Sequence, residues 1–226
     1  SLTRGVNIGE ETARALGATA ARYGIAMSVH APYYISLSTL YETTAANTLN
    51  HFLKSLIAAE WLGADRISFH MGGIGKLTRD AALELAKRRL SEILDEAGRR
   101  GLTGPKLAVE THGKLNQLGT VAEIIDVCKL SPQLIPLVDF AHLYAVAGGG
   151  FSQAGDYGRV FDQIGDALGP EVIADLHIHF SSIEFSAGGE KRHWRFQDPF
   201  GPPYQPLIQW IVDHGLTPRI ICESAG

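Results

Sequence analysis

The sequence contains little cysteine, no long apolar run and no large excess of either charge. Its two cysteines, Cys128 and Cys222, form no CxxC pair, which excludes a disulfide framework and predicts a reducing, cytoplasmic location. No apolar stretch is long enough to span a bilayer and no signal-peptide pattern is present, so we predict no membrane association. The formal net charge of −4 does not by itself indicate a nucleic-acid-binding protein, because contact with a polyanion would need a local basic face or metal ions.

Strand-like and helical segments alternate along the whole chain. Its 45% hydrophobic and 19% charged residues are typical of a globular protein. No break in composition divides the chain, so residues 1–226 are predicted to form a single domain. Short apolar runs separated by helical segments are typical of a parallel β-sheet. The helical segments are predicted at residues 10–23, 39–62, 78–100, 120–130, 152–168 and 206–214.

Each of the six apolar runs ends in a histidine or an acidic residue. The carboxyl ends of strands are where α/β folds place ligands and catalytic groups. Because the ends of six strands meet at one place only when the sheet closes, we predict a TIM-type (β/α) barrel. A complete barrel has eight strands and typically about 250 residues, so the chain is expected to lack the first two βα units and the last helix. The residues that end the runs are His30, His70, Glu110, Asp139, His177 and Glu223.

Three further histidines lie close in sequence to these positions. His142 follows the acid of the fourth run by three residues, and His193 lies in a predicted loop, residues 192–195, that is rich in glycine and charge. His179 follows His177 on the same side of a strand, so either could bind metal. Imidazoles mixed with carboxylates suit zinc, with manganese also possible. The set is large enough for more than one ion, which is typical of two-metal and three-metal hydrolases of phosphate esters.

The order of these motifs resembles the endonuclease IV family of apurinic/apyrimidinic endonucleases, within the xylose-isomerase-like TIM barrels. The resemblance runs from about Val6 to Glu223, nearly the whole chain. Its motifs are His30-Ala-Pro-Tyr, Phe69-His70-Met-Gly, Val138-Asp-Phe-Ala-His142 and Ile221-Cys-Glu223. The zinc ligands that it implies are His30, His70 and a bridging Glu110 for one ion, the same Glu110 with Asp139, His177 and Glu223 for a second, and His142 with an Asp-x-His pair for a third.

The sequence departs from the family at the third zinc site. The Asp-x-His pair aligns with Lys191-Arg-His193, so a cation stands where the family has an acid. We therefore predict two bound zinc ions and a weak or empty third site, because two imidazoles without an anion bind zinc less well. Glu190 or Asp198 could supply a substitute acid.

The resemblance implies a metal-dependent phosphodiesterase that cleaves damaged DNA 5′ to abasic sites through a metal-bound hydroxide. Glu110 would bridge the ions, and Glu223 would bind metal and orient the nucleophile. Tyr33 and Tyr34 would insert into the DNA where a base is missing, and the enzyme is expected to act as a monomer.

Two alternatives use the same residues. A single-metal sugar isomerase or epimerase of the same superfamily would need only Glu110, Asp139, His177 and Glu223. A non-catalytic relative would keep the metal for stability alone. The additional histidines His30, His70 and His142 favour the nuclease, because a one-metal enzyme does not need them.

Overall fold

The computed structural model describes residues 5–224, in which helices and strands alternate. The helices are α1 (Glu10–Arg22), α2 (Glu42–Leu62), α3 (Arg79–Arg99), α4 (Val121–Cys128), α5 (Phe140–Val146), α6 (Ala154–Leu168), α7 (Pro170–Ala174) and α8 (Gln205–Asp213). The strands are β1 (Ser28–His30), β2 (Arg66–Phe69), β3 (Lys106–Glu110), β4 (Leu134–Asp139), β5 (His177–Phe180), β6 (Ser182–Ser186), β7 (Gly189–Trp194) and β8 (Arg219–Cys222).

Six of these strands form one sheet in the order β1-β2-β3-β4-β5-β8, and β6 and β7 form a separate hairpin. Parallel pairing joins β1 to β2, β2 to β3, β4 to β5 and β5 to β8. At least one helix lies in the sequence between successive strands of this sheet, as parallel pairs require. The alternation predicted from the sequence is therefore confirmed.

The chain divides into two compact units by its internal contacts. The first comprises the chain up to Val109 together with Leu130–Ile135, and the second comprises Glu110–Lys129 and the chain from Pro136 onward. Strands β3 and β4 run through both units. The single domain over residues 1–226 stays a prediction.

In the first unit, a glycine allows α1 to approach α2 closely. A Cβ atom added at Gly17 would lie 2.5 Å from the backbone oxygen of Leu62, so no other residue fits there without movement. Thr78 caps α3, because its side chain accepts a hydrogen bond from the first turn of that helix. Phe52 of α2 packs edge-on against Phe69 of β2, with ring centroids 4.9 Å apart.

In the second unit, the helices that follow β3 and β4 have well-defined beginnings. Thr120 and Glu123 form a reciprocal capping box at the start of α4. Asp139 ends β4 and also caps α5, because its Oδ1 accepts a hydrogen bond from the backbone N–H of His142 at 2.9 Å. The aromatic rings that pack α5 against α6 are those of Phe140, Tyr157 and Phe161.

The sequence-based prediction contains neither the β6–β7 hairpin nor the helix α5. The sequence predicts a loop at residues 192–195, but residues 192–194 belong to β7 and pair antiparallel with β6. This segment contains glycine and charged residues, which are uncommon in strands, so its sequence does not indicate a strand. Tertiary packing stabilises it instead, since Ile183 of β6 is buried against Ala141 and Ala145 of α5.

None of the helices within residues 5–224 is both long enough and apolar enough to cross a membrane.

Candidate metal centre

Three carboxylates surround one histidine at the strand ends of the second unit. Glu110, Asp139, His179 and Glu223 each offer one ligand atom, and these atoms lie within 4.8 Å of one another. His179 Nδ1 lies 3.1 Å from Glu110 Oε1 and 3.1 Å from Glu223 Oε1. Three acids and one imidazole at these separations are a suitable ligand set for a divalent ion such as zinc or manganese.

The structure places His179 in this group, rather than the His177 that the resemblance favours. In the parallel pairing of β4 with β5, Asp139 lies opposite His179, whereas His177 lies opposite Leu137, two residues before the strand end. The two imidazole rings are 5.0 Å apart and nearly perpendicular. The register therefore makes His177 a neighbour of the group and His179 a member of it.

Negative charge is concentrated in this group. Burial raises the pKa of Asp139, and the nearby Glu110 and Glu223 raise it further. Burial alone would lower the pKa of His179, but Glu110 and Glu223 outweigh that effect and raise it to about 11. His179 therefore carries a proton near neutral pH when no metal is bound, and a metal ion could supply the same compensating charge.

Asp139 has one oxygen in a hydrogen bond and one without, and the second oxygen lies 3.6 Å from His142 Nδ1. Its Oδ1 accepts from the backbone of His142, while its Oδ2 is buried and makes no hydrogen bond within the described part of the chain. The backbone N–H of Asp139 donates to Thr111 Oγ1 at 2.9 Å, which holds the strand end in place. A buried carboxylate oxygen without a hydrogen bond is costly unless a cation binds it, so this atom fits the metal interpretation.

A second group forms beside the first from His142, Glu190 and His193. Their ligand atoms also lie within 4.8 Å of one another, and His142 Nε2 is 3.3 Å from Glu190 Oε2. His142 Nδ1 lies 2.9 Å from the carbonyl oxygen of Thr111. A proton on that nitrogen leaves Nε2 available for a metal, the usual arrangement of a histidine ligand. His193 Nδ1 lies 2.6 Å from Ser181 Oγ, which orients its ring in the same way.

Lys191 does not occupy the place that the sequence comparison gives it. Its ammonium group pairs with Glu184, and its side chain is half exposed. The acid that reaches the two histidines is Glu190. The other substitute considered, Asp198, accepts a hydrogen bond from the backbone of Arg195.

In the first unit, His30 and His70 lie side by side at the ends of adjacent strands. Their ring centroids are 5.4 Å apart, and His30 Nδ1 lies 2.7 Å from the carbonyl oxygen of Ala31. Tyr33 stacks on His70 at 6.1 Å, and both Tyr33 and Tyr34 are 59% exposed. That the two histidines share one ion with Glu110 stays a prediction.

His112 lies in the loop after β3 and is a further neighbour of the second group. Its ring stacks on that of His142 at 5.7 Å, and its Nδ1 is 3.9 Å from Glu190 Oε2. Burial lowers its pKa to about 4, and the charge of His142 contributes in the same direction. His112 is therefore neutral at pH 7, so it adds no positive charge beside the second group.

The sequence matches a known protein family over almost its whole length. The family model described as xylose isomerase-like TIM barrel matches residues 2–226. The chain belongs to this family. The predicted TIM-type (β/α) barrel class is thereby confirmed.

The relatives of this chain include an uncharacterized protein and several probable endonucleases. An uncharacterized protein of Methanocaldococcus jannaschii is 30% identical over 223 residues, which cover 98% of this chain and 79% of that protein. A probable endonuclease 4 of Acholeplasma laidlawii is 24% identical over 168 residues, covering 72% of this chain and 55% of that protein. The chain thus spans about half the length of the endonuclease 4 relatives that it matches.

The similar solved structures include both epimerases and a nuclease. A D-tagatose 3-epimerase-like protein has a TM-score of 0.72 at 18% identity, covering 96% of this chain and 76% of that one. Endonuclease IV from Thermus thermophilus has a TM-score of 0.69 at 22% identity, covering 96% of this chain and 75% of that one. Identities this low show the fold alone, so the choice of reaction depends on the side chains of the site.

Proposed function

We propose that the protein is a metal-dependent phosphodiesterase that cleaves DNA on the 5′ side of abasic sites, with zinc as its metal. The observation that carries this proposal is that the second unit offers two ligand groups side by side, with seven side chains in total. One ion does not need seven ligands, because protein zinc sites use three or four. Likeness to endonuclease IV in both sequence and fold supports the same reading.

The four-ligand group of Glu110, Asp139, His179 and Glu223 is proposed to hold one ion, and Glu110 also lies next to the second group. Glu110 Oε1 is 3.1 Å from His179 Nδ1 and 3.8 Å from His142 Nδ1. This fully buried carboxylate is therefore placed to interact with both groups. Metal ions bound there would activate water and stabilise the leaving oxygen of a phosphodiester.

Glu223 is the acid of the first group that reaches toward solvent. Its side chain is 26% exposed, whereas those of Glu110 and Asp139 are fully buried. An acid with access to water can both bind metal and accept a proton from an incoming water molecule. We propose that Glu223 has this second role.

Tyr33 and Tyr34 are proposed to contact the DNA. Both rings are largely exposed, and Tyr33 lies against the imidazole of His70. An aromatic ring beside the metal ligands could fill the space left by a missing base.

A single-metal sugar epimerase or isomerase is the second candidate. The group of Glu110, Asp139, His179 and Glu223 would be a sufficient ligand set for that chemistry, and the D-tagatose 3-epimerase-like structure has a similar fold. This alternative gives no role to the group of His142, Glu190 and His193.

The deciding experiment combines a metal count with two activity assays. Purified protein is analysed for metal per chain and is incubated with a labelled duplex that carries one stable abasic-site analogue. Intact duplex and ketohexoses serve as the other substrates. We expect two or more ions and a single incision 5′ to the lesion. Glu110→Gln should remove the incision, while the exposed control Glu42→Gln should not. One ion per chain with ketohexose epimerisation and no incision would overturn the proposal.

A further inference from the structure

The loop that follows β3 pairs with the turn of the β6–β7 hairpin through backbone atoms. The N–H of Glu190 donates to the carbonyl oxygen of Gly113 at 2.7 Å, and Lys114 forms an antiparallel bridge with Gly189. The N–H of Leu115 donates to the carbonyl oxygen of Gly188, the residue before Gly189, at 3.4 Å. The loop thus extends the hairpin by a short strand-like segment that lies next to Glu190.

Neither glycine in this contact leaves room for a side chain. A Cβ atom at Gly189 would lie 2.2 Å from the carbonyl oxygen of Gly113, and the φ angle of Gly189 is +100°. A Cβ atom at Gly113 would lie 2.4 Å from Glu190 Oε2 and 2.8 Å from His142 Cδ2. All three separations are shorter than real Cβ contacts, so a residue other than glycine at either position would have to displace its neighbours.

An extra residue in β7 brings Glu190 and His193 to the same face. Glu184 lies opposite Arg192 and the next residue, Phe185, lies opposite Glu190, so two residues of β6 span three of β7. This pattern is a β-bulge, in which one strand carries one more residue than its partner. Without it, side chains three residues apart would point to opposite faces.

The bulge also explains the position of Lys191, which is the extra residue. Glu184 lies opposite Arg192 on the other face of the hairpin, and Lys191 pairs with Glu184 there. An acid two residues before His193 would be on the correct face in a regular strand. In this chain the acid is three residues before His193. The bulge turns the side chain of Glu190 to the same face of the strand as that of His193.

We propose that Glu190 is the carboxylate ligand of an ion held with His142 and His193, and that Gly113 and Gly189 are the residues that position it. This inference rests on the proposed function, since it assigns the second ligand group of the same site. Glu190 Oε2 is buried and makes no hydrogen bond within the described residues, and it faces His142 Nε2 at 3.3 Å. Lys114 Nζ, 4.0 Å from the other oxygen, helps to orient the carboxylate.

The test counts metal and does not depend on catalysis. The full chain is saturated with zinc or cobalt, and bound ions are measured by elemental analysis, by competition with a chelator and by the visible absorption of cobalt. Glu190→Gln should lose one ion, or bind its weakest ion about a hundredfold less tightly. It should also lose one component of the cobalt spectrum.

Two glycine variants test the positioning role. Gly113→Ala should weaken the same ion about tenfold or more, because the new methyl group overlaps Glu190. Gly188→Ala is the matched control, since its Cβ would meet nothing closer than Ser186 Oγ at 4.0 Å, and it should leave the count and spectrum unchanged. Circular dichroism checks that each variant is folded. If Gly113→Ala does not fold, Glu190→Gln still tests the ligand assignment, because it changes only the side chain.

The Lys191→Asp variant distinguishes two expectations for residue 191, one from the alignment with the family and one from the β-bulge. The alignment expects this change to create a ligand and raise the metal content by up to one ion. The bulge predicts no gain, because residue 191 lies outside the group. A gain of one ion, or a Glu190→Gln protein with unchanged count and affinity, would overturn the proposal. Unchanged affinity in folded Gly113→Ala would overturn the role of the glycines. Normal metal behaviour without DNA incision would overturn the proposed function and leave this inference standing.

Discussion

The sharpest prediction concerns the two histidines of β5, since sequence resemblance and structure choose different ones. His179→Asn should remove a metal ligand, whereas His177→Asn should not. Zinc bound by four protein ligands is stabilised by about 10–16 kcal/mol, so an equal share is about 3 kcal/mol per ligand. Loss of His179 should therefore lower the affinity of the first group by a factor of about a hundred or more.

His177→Asn should show a different defect. The side chain is buried, at 1% exposure, and packs edge-on against His179. Its replacement should lower the free energy of unfolding by about 1–2 kcal/mol and leave the zinc affinity within a few-fold of the original.

A chelator-competition titration measures the affinity, and urea unfolding of the metal-free protein measures the stability. The two variants carry the same chemical change two residues apart, so each is the control for the other. If His177→Asn lost the ion and His179→Asn kept it, the assignment from the β4–β5 register would be refuted.

Three further predictions follow from the same structure. Glu110→Gln should lower the metal content by at least one ion per chain in elemental analysis, because Glu110 is a member of the first group and lies beside His179; an unchanged metal content would contradict this. Gly17→Ala should destabilise the protein by about 1–3 kcal/mol in urea unfolding, whereas Gly98→Ala, whose Cβ meets nothing within 4 Å, should be neutral or stabilising. Backbone hydrogen bonds from residues 152 and 153 lower the pKa of Asp156 to about 2. Its contribution to stability is therefore present above the unfolded pKa of about 4 and is lost as the pH falls toward 2, so Asp156→Asn should remove that part of the acid dependence; identical acid-unfolding curves would contradict it.

Much of the candidate site could be predicted because its acids Glu110, Asp139 and Glu223 lie at the ends of strands. Glu110 and Asp139 are the last residues of β3 and β4, and Glu223 follows β8 directly. A short apolar run followed by an acid is a local pattern, and parallel strands bring their carboxyl ends to one edge of a sheet. The caps Thr78 and Thr120 were predictable for the same reason, since a cap contacts only the first turn of its own helix.

The sequence by itself determined the alternation of strands and helices, the family and the acids at the strand ends, because each depends on neighbours within a few residues. Only the tertiary structure decided that His179 joins the first group and that Glu190, not Lys191, joins the second. The first depends on the register of β5 against β4, and the second on a bulge in β7 and a contact with Gly113. Register and bulges are set by the partner strand and by packing, so they leave little trace in the sequence of the strand that carries the ligand.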